Sequence, residues 1–272
     1  IGTRPLYWTR APGRVAFSTD LPSLLELSWV DRRLDRDHLA EFLAFRAVHA
    51  PRTLVDNVQL VPAGHRVRLD DEGGRTVRVH TPRYAAPDTP LPPEQEVVGE
   101  LTAAVERAVR RRLLGGADVG VYLSGGTGST AIVAAARAAA RSLRTWTVTV
   151  SDEPSPESPF AGRIAALFGM EHHTVVVGTR DIADRFDDAV GALGHPIGNV
   201  AAVLQHVLAR EVGRDVSEVL TGDGTDQLFG GRMLRGPAAA ISRVERLHAI
   251  PWPARQGLAR ALAVAGRGDS LR

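Results

Sequence analysis

The rhythm of apolar positions changes near residue 94. Before it, short extended-type runs dominate. Arg4-Pro5-Leu6-Tyr7-Trp8 and Arg14-Val15-Ala16-Phe17-Ser18 lie around a turn at Ala11-Pro12-Gly13. Val67-Arg68-Leu69 and Val77-Arg78-Val79 flank Asp71-Glu72-Gly73-Gly74, a hairpin signal. Leu39, Phe42, Leu43 and Val48 predict a short helix after Asp37, an N-cap type of residue. Prolines at 82, 87, 90, 92 and 93 then mark a linker.

From 94 onward the period lengthens. Val97, Leu101, Val105, Val109 and Leu113 recur every four residues, as one helix face does. Val119-Gly120-Val121-Tyr122-Leu123 reads as a buried strand. An Ala-rich helix follows over 129–141, then a β-branched strand over 145–150. Phe160, Ile164, Leu167 and Phe168 predict a helix, 173–177 a strand, Val200 to Leu208 a helix and 216–220 a strand. Such alternation predicts an α/β fold, a parallel sheet flanked by helices on both faces.

Composition narrows the chemistry. The 272 residues are 44% hydrophobic and 24% charged, a globular balance that suits one large or two modest domains. The net charge is only +2, so a pI near 9.6 does not mark a nucleic-acid binder. With no cysteine, these residues hold no disulfide, no Cys-ligated zinc and no thiol nucleophile. All 33 basic residues are arginine, which excludes a GK[ST] P-loop and Schiff-base chemistry. There is no membrane-length apolar run and no signal-peptide pattern, so a cytoplasmic chain without nucleic-acid or membrane partners is expected. It opens at Ile1 inside a strand-like run, as a piece of a longer chain would.

Two clusters carry candidate chemistry. The first predicted parallel strand ends in Leu123-Ser124-Gly125-Gly126-Thr127-Gly128-Ser129-Thr130, where a helix begins. Glycines let a ligand approach the backbone, and first-turn amides with the positive dipole end favour an anion. The hydroxyls at 124, 127, 129 and 130 add donors. The same residues also suit a plain strand-to-helix turn. The last strand runs into Thr221-Gly222-Asp223-Gly224-Thr225-Asp226-Gln227-Leu228-Phe229-Gly230-Gly231. Its two aspartates suit Mg²⁺ held against phosphates, or simply an N-cap. Both clusters fall at carboxyl ends of strands, where open α/β sheets bind ligands.

These clusters resemble the asparagine synthetase family, with its SGG-x-D-S pyrophosphate loop and its G-D-G-x-D-E-L-F-G-G-Y motif. Gly2-Thr3-Arg4-Pro5-Leu6-Tyr7, Phe17-Ser18-Thr19-Asp20, Pro51-Arg52-Thr53-Leu54, Val61-Pro62-Ala63-Gly64-His65 and Ala166-Leu167-Phe168-Gly169-Met170-Glu171-His172-His173 extend the resemblance over nearly the whole chain. It implies the rear of a glutaminase-like, β-rich domain over 1–82, a linker over 83–93 and the front of an ATP-pyrophosphatase domain over 94–272. It also implies ATP and Mg²⁺ as cofactors. A small-molecule or peptide carboxylate would be adenylated, pyrophosphate released and an amide formed, and a homodimer stays open. Carried over by position, Ser124, Gly125, Gly126 and Ser129 would hold pyrophosphate. Leu123, Val148 and Gly222 would line the adenosine pocket. Asp226 would bind Mg²⁺, with Asp223 the nearby acidic candidate for a catalytic role.

Departures keep other readings open. Gly128 stands where the family has the loop aspartate, Gln227 where it has Glu, and Arg232 where it has Tyr. Asp152 and Glu153 after the next strand are the alternative acids. The family's adenylation lysine and glutaminase cysteine have no counterpart in these residues. A lasso-peptide macrolactam or β-lactam cyclase relative is therefore an alternative, as is a non-catalytic domain that binds a nucleotide or a partner. His195-Pro196 falls in a loop the family uses near substrate. His172 and His173 would point to opposite faces of a strand, as structural residues. Arg107, Arg110, Arg111 and Arg112 read as a solvated helix face. Ser124 lacks the G-x-S-x-G elbow of a hydrolase nucleophile.

Overall fold

The computed structural model describes residues 2–70, 73–86, 89–113, 118–140, 143–152 and 158–231. Asp71, Glu72, Arg141, Glu153 and Arg232, named above, lie outside the described residues.

The first region is antiparallel. β1 (Tyr7–Ala11) is central, between β2 (Arg14–Ser18) and β3 (Val58–Leu60). Its central place explains why Tyr7, Trp8 and Thr9 are all buried. β4 (His65–Asp70) and β5 (Gly73–Arg78) form the expected hairpin. The indole of Trp8 lies over Gly74, where an added Cβ would meet it at 2.5 Å. α1 (Leu21–Leu25) and α2 (Arg36–Phe45) are capped by aspartates. Asp20 accepts from the Ser23 amide at 2.9 Å, and Asp35 from the Asp37 and His38 amides at 2.9 and 3.0 Å. The cap of α2 is thus Asp35, not the Asp37 expected. Both aspartates carry the same signal, and only Asp35 has the extended backbone of a cap. Tyr7, Leu21, Leu24, Val30 and Val58 form a small core.

The second region contains α3 (Glu94–Leu113), β6 (Val119–Tyr122), α4 (Thr127–Ala139), β7 (Arg144–Val150), α5 (Ser158–Leu167), β8 (Glu171–Val177), α6 (Thr179–Asp184), α7 (Phe186–Leu193), α8 (Ala201–Val212), β9 (Glu218–Leu220) and α9 (Thr225–Phe229). The sheet is parallel in the order β8-β7-β6-β9. From β6 the chain builds outward to β8, then returns to pair β9 with the other edge of β6. The strand order therefore reverses between β6 and β9, the switch point where such sheets open a ligand crevice.

Helices cover both faces, as expected. Val119, Val121 and Leu123 point into one core with Val109, Val133, Ala136 and Ala165 from α3, α4 and α5. Trp146 turns to the opposite face, against Leu208, Val212 and Val216. Gly120 makes that possible, because a Cβ there would meet the Trp146 ring at 2.4 Å. On the same strands His172 Nδ1 lies 2.9 Å from Thr145 Oγ1, while His173 stacks on Trp146 with centroids 5.4 Å apart. The two histidines are structural and on opposite faces.

The α3 face is only half used. Val109 is buried, but Val97 and Leu101 are 43% and 42% exposed. Glu94 and Glu96 start that helix, and Arg110, Arg111 and Arg112 end it, complementing the dipole from a solvated face. The stretch between β8 and α8 also holds α6 and α7, which are not among the predicted elements.

Candidate functional site

The chain leaves β6 through a tight bend. Gly125 has φ +90°, a conformation that favours glycine. Gly126 then caps α4 with extended backbone and no side-chain cap. The helix's first internal bond runs from the Thr130 amide to the Gly126 carbonyl at 3.0 Å. Earlier first-turn amides, Thr127, Gly128 and Ser129, have no partner within the helix itself.

The loop's hydroxyls brace the bend. Ser129 donates to the Gly126 carbonyl at 3.1 Å, and Thr130 does the same at 2.8 Å. With its proton placed there, Ser129 Oγ accepts from Ser124 Oγ at 3.0 Å and from the Ser124 amide at 3.2 Å. Ser124 Oγ in turn accepts from the Gly126 amide at 3.2 Å. Three of the four hydroxyls expected as ligand donors are therefore committed inside the loop. The remaining donors here are the Thr127 hydroxyl and main-chain amides of the first turn, on a loop braced by the other three hydroxyls.

The second cluster sits directly on the first. β9 pairs with β6 in the register Val121↔Leu220, which carries Thr221 and Gly222 to the start of α4. A Cβ on Gly222 would lie 2.7 Å from the Ser129 nitrogen and 2.8 Å from the Gly128 carbonyl carbon. Thr225 opens α9, and its hydroxyl donates to the Gly222 carbonyl at 2.6 Å. Gly231 backs onto Asp226, whose Cγ would stand 2.2 Å from a Cβ there. The Tyr122 phenol is held above its usual pKa by burial and then by the Asp223 charge.

The other expected positions are spread around this junction. Leu123 is 1% exposed, with its side chain in the core. Its amide donates to the Trp146 carbonyl at 2.8 Å, and its carbonyl accepts from Thr147 Oγ1. Only its main chain reaches the sheet edge. Val148 lies on β7, against the core of the opposite face.

The carboxylates of this junction approach a protein-held Mg²⁺ from one side only. Such a site uses one or two carboxylates completed by phosphates and water. Here Asp223 and Asp226 come from one loop, and the facing loop offers Gly128. Among the described residues no group of three or more His, Asp or Glu side chains is placed to hold a metal. Asp152, the alternative acid, is engaged by two hydroxyls. It accepts from Thr179 Oγ1 at 2.9 Å and from Ser151 Oγ at 3.0 Å, and these hydroxyls hold it below the usual carboxylate range.

His195 lies elsewhere. A cavity of about 550 Å³ between the two regions is lined by Tyr7, Phe42 and Arg52 on one side and Leu193, His195 and Asn199 on the other. The loop carrying His195 docks through glycines. Cβ atoms on Gly194 and Gly198 would strike Pro22 at 2.5 Å and the Arg46 carbonyl at 2.0 Å. Its imidazole Nδ1 is 3.1 Å from the Pro196 carbonyl.

Two residues of the junction have no sequence signal as site members. Tyr122 reads as strand and Thr225 as the variable position of its motif. Only the β6–β9 pairing brings them in.

The Asparagine synthase family model matches residues 100–268, and the Glutamine amidotransferase domain model matches residues 1–81. The asparagine synthetase [glutamine-hydrolyzing] 1 of Bacillus subtilis (strain 168) is 27% identical over 247 residues, covering 90% of this chain and 38% of that protein. A putative asparagine synthetase [glutamine-hydrolyzing] of Mycobacterium tuberculosis (strain ATCC 25618 / H37Rv) is 30% identical over 278 residues, covering 99% and 42%. The amidase chyE of Penicillium rubens is 26% identical over 254 residues, covering 85% and 36%. The chain thus spans about two fifths of the length of the curated relatives it matches.

Proposed function

The chain belongs to the asparagine synthase family, and on that premise we propose that it is the nucleotide-binding part of an ATP-dependent amide-forming ligase. A carboxylate oxygen attacks the α-phosphorus of ATP, and the bond to pyrophosphate breaks. An amine then attacks the acyl carbon, loses a proton and displaces AMP. The substrate class is a small-molecule or peptide carboxylate.

One observation carries this reading. At the sheet's switch point, the uncapped start of α4 and the Gly222 loop meet in backbone contact. That junction presents amides and the positive end of a 13-residue helix to an anion. Ser124, Gly125, Gly126 and Ser129 form the pyrophosphate loop. The main chain of Leu123 and Gly222, with Val148, bounds the nucleoside side. Mg²⁺ is the cation expected with ATP, and Asp226 is its nearest family-matched ligand, with Asp223 beside it. The donor set described above supports no step assigned to that ion.

A calorimetric titration of the chain with ATP tests the reading. Saturable binding is expected, with inorganic pyrophosphate competing and AMP at least tenfold weaker, because the loop reads phosphates beyond the first. A folded chain that binds neither ATP nor pyrophosphate overturns it. Nucleotide binding without ligation is the second reading, favoured by the glycine at 128. Pyrophosphate release on adding carboxylate and amine substrates separates the two.

A further inference from the structure

We propose that Thr225 decides metal use at this site: its side chain fills the space over the Gly128 Cα, keeps the phosphate loop free of a carboxylate ligand, and leaves phosphates to main-chain amides. The inference rests on the ATP reading and deepens it.

The geometry is specific. A Cβ on Gly128 would lie 2.7 Å from Thr225 Oγ1, 3.0 Å from its Cβ and 3.2 Å from its Cγ2. All three atoms of one side chain occupy the place where residue 128 would begin to extend. Thr225 is poorly able to yield. Its hydroxyl donates to the Gly222 carbonyl at 2.6 Å, and Gly222 is itself pressed onto the Ser129 nitrogen. A β-branched residue carries two heavy atoms on Cβ, so rotation about χ1 largely exchanges one obstruction for another. Gly128 cannot retreat either. It lies in the first turn of α4, between the Gly126 cap and the Thr130 amide bonded to it.

Position 128 and position 225 thus form one steric unit across two loops. An aspartate introduced at 128 alone has no room, and the loop would have to open to admit it. The phosphate loop's share of a metal site is thus closed at two residues together, and changing one of them alone does not open it.

The test is a cycle of unfolding midpoints on the full chain: wild type, Gly128→Ala, Thr225→Gly and the double variant. Gly128→Ala is expected to lower Tm by about 3–8 °C. In the Thr225→Gly background the same change is expected to cost nothing or to raise Tm, since alanine is the better helix former. An equal effect in both backgrounds overturns the proposal. ATP titrations with and without Mg²⁺ then compare Gly128→Asp with Gly128→Asp/Thr225→Gly. Magnesium is expected to tighten ATP binding at least tenfold more in the double variant than in Gly128→Asp or the wild type. The same gain in Gly128→Asp alone overturns the proposal. The unfolding cycle needs no nucleotide. Absence of ATP binding in every variant therefore counts against the ligase reading, while the cycle still decides the role of Thr225.

Discussion

The helices of the antiparallel region and those at the switch point start in opposite ways. α1 and α2 are closed by the carboxylates of Asp20 and Asp35. α4 and α9 begin at Gly126 and Gly224, with no side chain on their first amides. A side-chain cap contributes about 1 kcal/mol relative to alanine. One region uses its helix starts for its own stability. The other leaves donors exposed where two strands part, with the bend held by Ser124 and Ser129 instead. A helix start without a cap is thus informative when its surroundings are braced: on the proposed reading, the site is built before any ligand arrives.

The largest expected effect falls on the switch-point side. Gly222→Ala drives a Cβ into backbone atoms of Gly128 and Ser129, and should cost about 1–3 kcal/mol in chemical denaturation. A cost near zero would mean that the two loops are not pressed together. Next in size is a paired substitution that sets the two kinds of helix start against each other. Asp35→Ala should cost about 1 kcal/mol and leave ATP affinity unchanged. Gly126→Asp should change stability by only a few tenths of a kcal/mol, yet weaken ATP at least tenfold, because a carboxylate then occupies the amides. Equal ATP affinity in Gly126→Asp and wild type would erase the functional contrast.

The smallest effect concerns pH. The His172 imidazole is held below its usual pKa by burial first and by His173 second. The folded chain then binds fewer protons than the unfolded one through that range. Stability from this group is complete above the ordinary imidazole pKa and falls as pH drops through it, levelling below the depressed value. In the antiparallel region Glu41 is held below the usual carboxylate range, chiefly by its hydrogen bond with His49. Its contribution is present above that range and is lost only in more acid solution. His172→Gln should flatten the near-neutral part of a Tm–pH profile and leave the acid limb in place. An unchanged near-neutral slope would remove His172 as its cause.

Much of the parallel sheet was legible because its strands carry short apolar or β-branched runs. β6, β7 and β8 fall where those runs do. α6 and α7 were not legible, for different reasons. α6 is six residues with no buried position, whereas α7 carries an apolar stripe at Phe186, Ala189, Val190 and Leu193 that spans only two turns, too short to stand out as a helix. The two glycine-rich clusters were visible as candidates, since glycine and hydroxyl spacing is local information. Their contact was not. Strand order is a long-range property, and the clash between position 128 and Thr225 exists only once β9 lies beside β6. The hydroxyls at 124, 129 and 130 looked like ligand donors because sequence shows their number and not their direction. Likewise the period-four positions of α3 read as one continuous apolar face. Its first half remains exposed at Val97 and Leu101.

The pairing of Val121 with Leu220 also sets an order of events in time. These partners are made about a hundred positions apart, at roughly 5–20 residues per second during synthesis. Closing so long a loop carries an entropic cost that local helices and the β7–β8 pairing do not face. The crevice is therefore among the last features the chain completes. On the proposed reading, a nucleotide that grips both the Gly126 and the Gly222 loops holds shut the longest-range strand pairing among the described residues, and its site is complete only once the chain through β9 has been made.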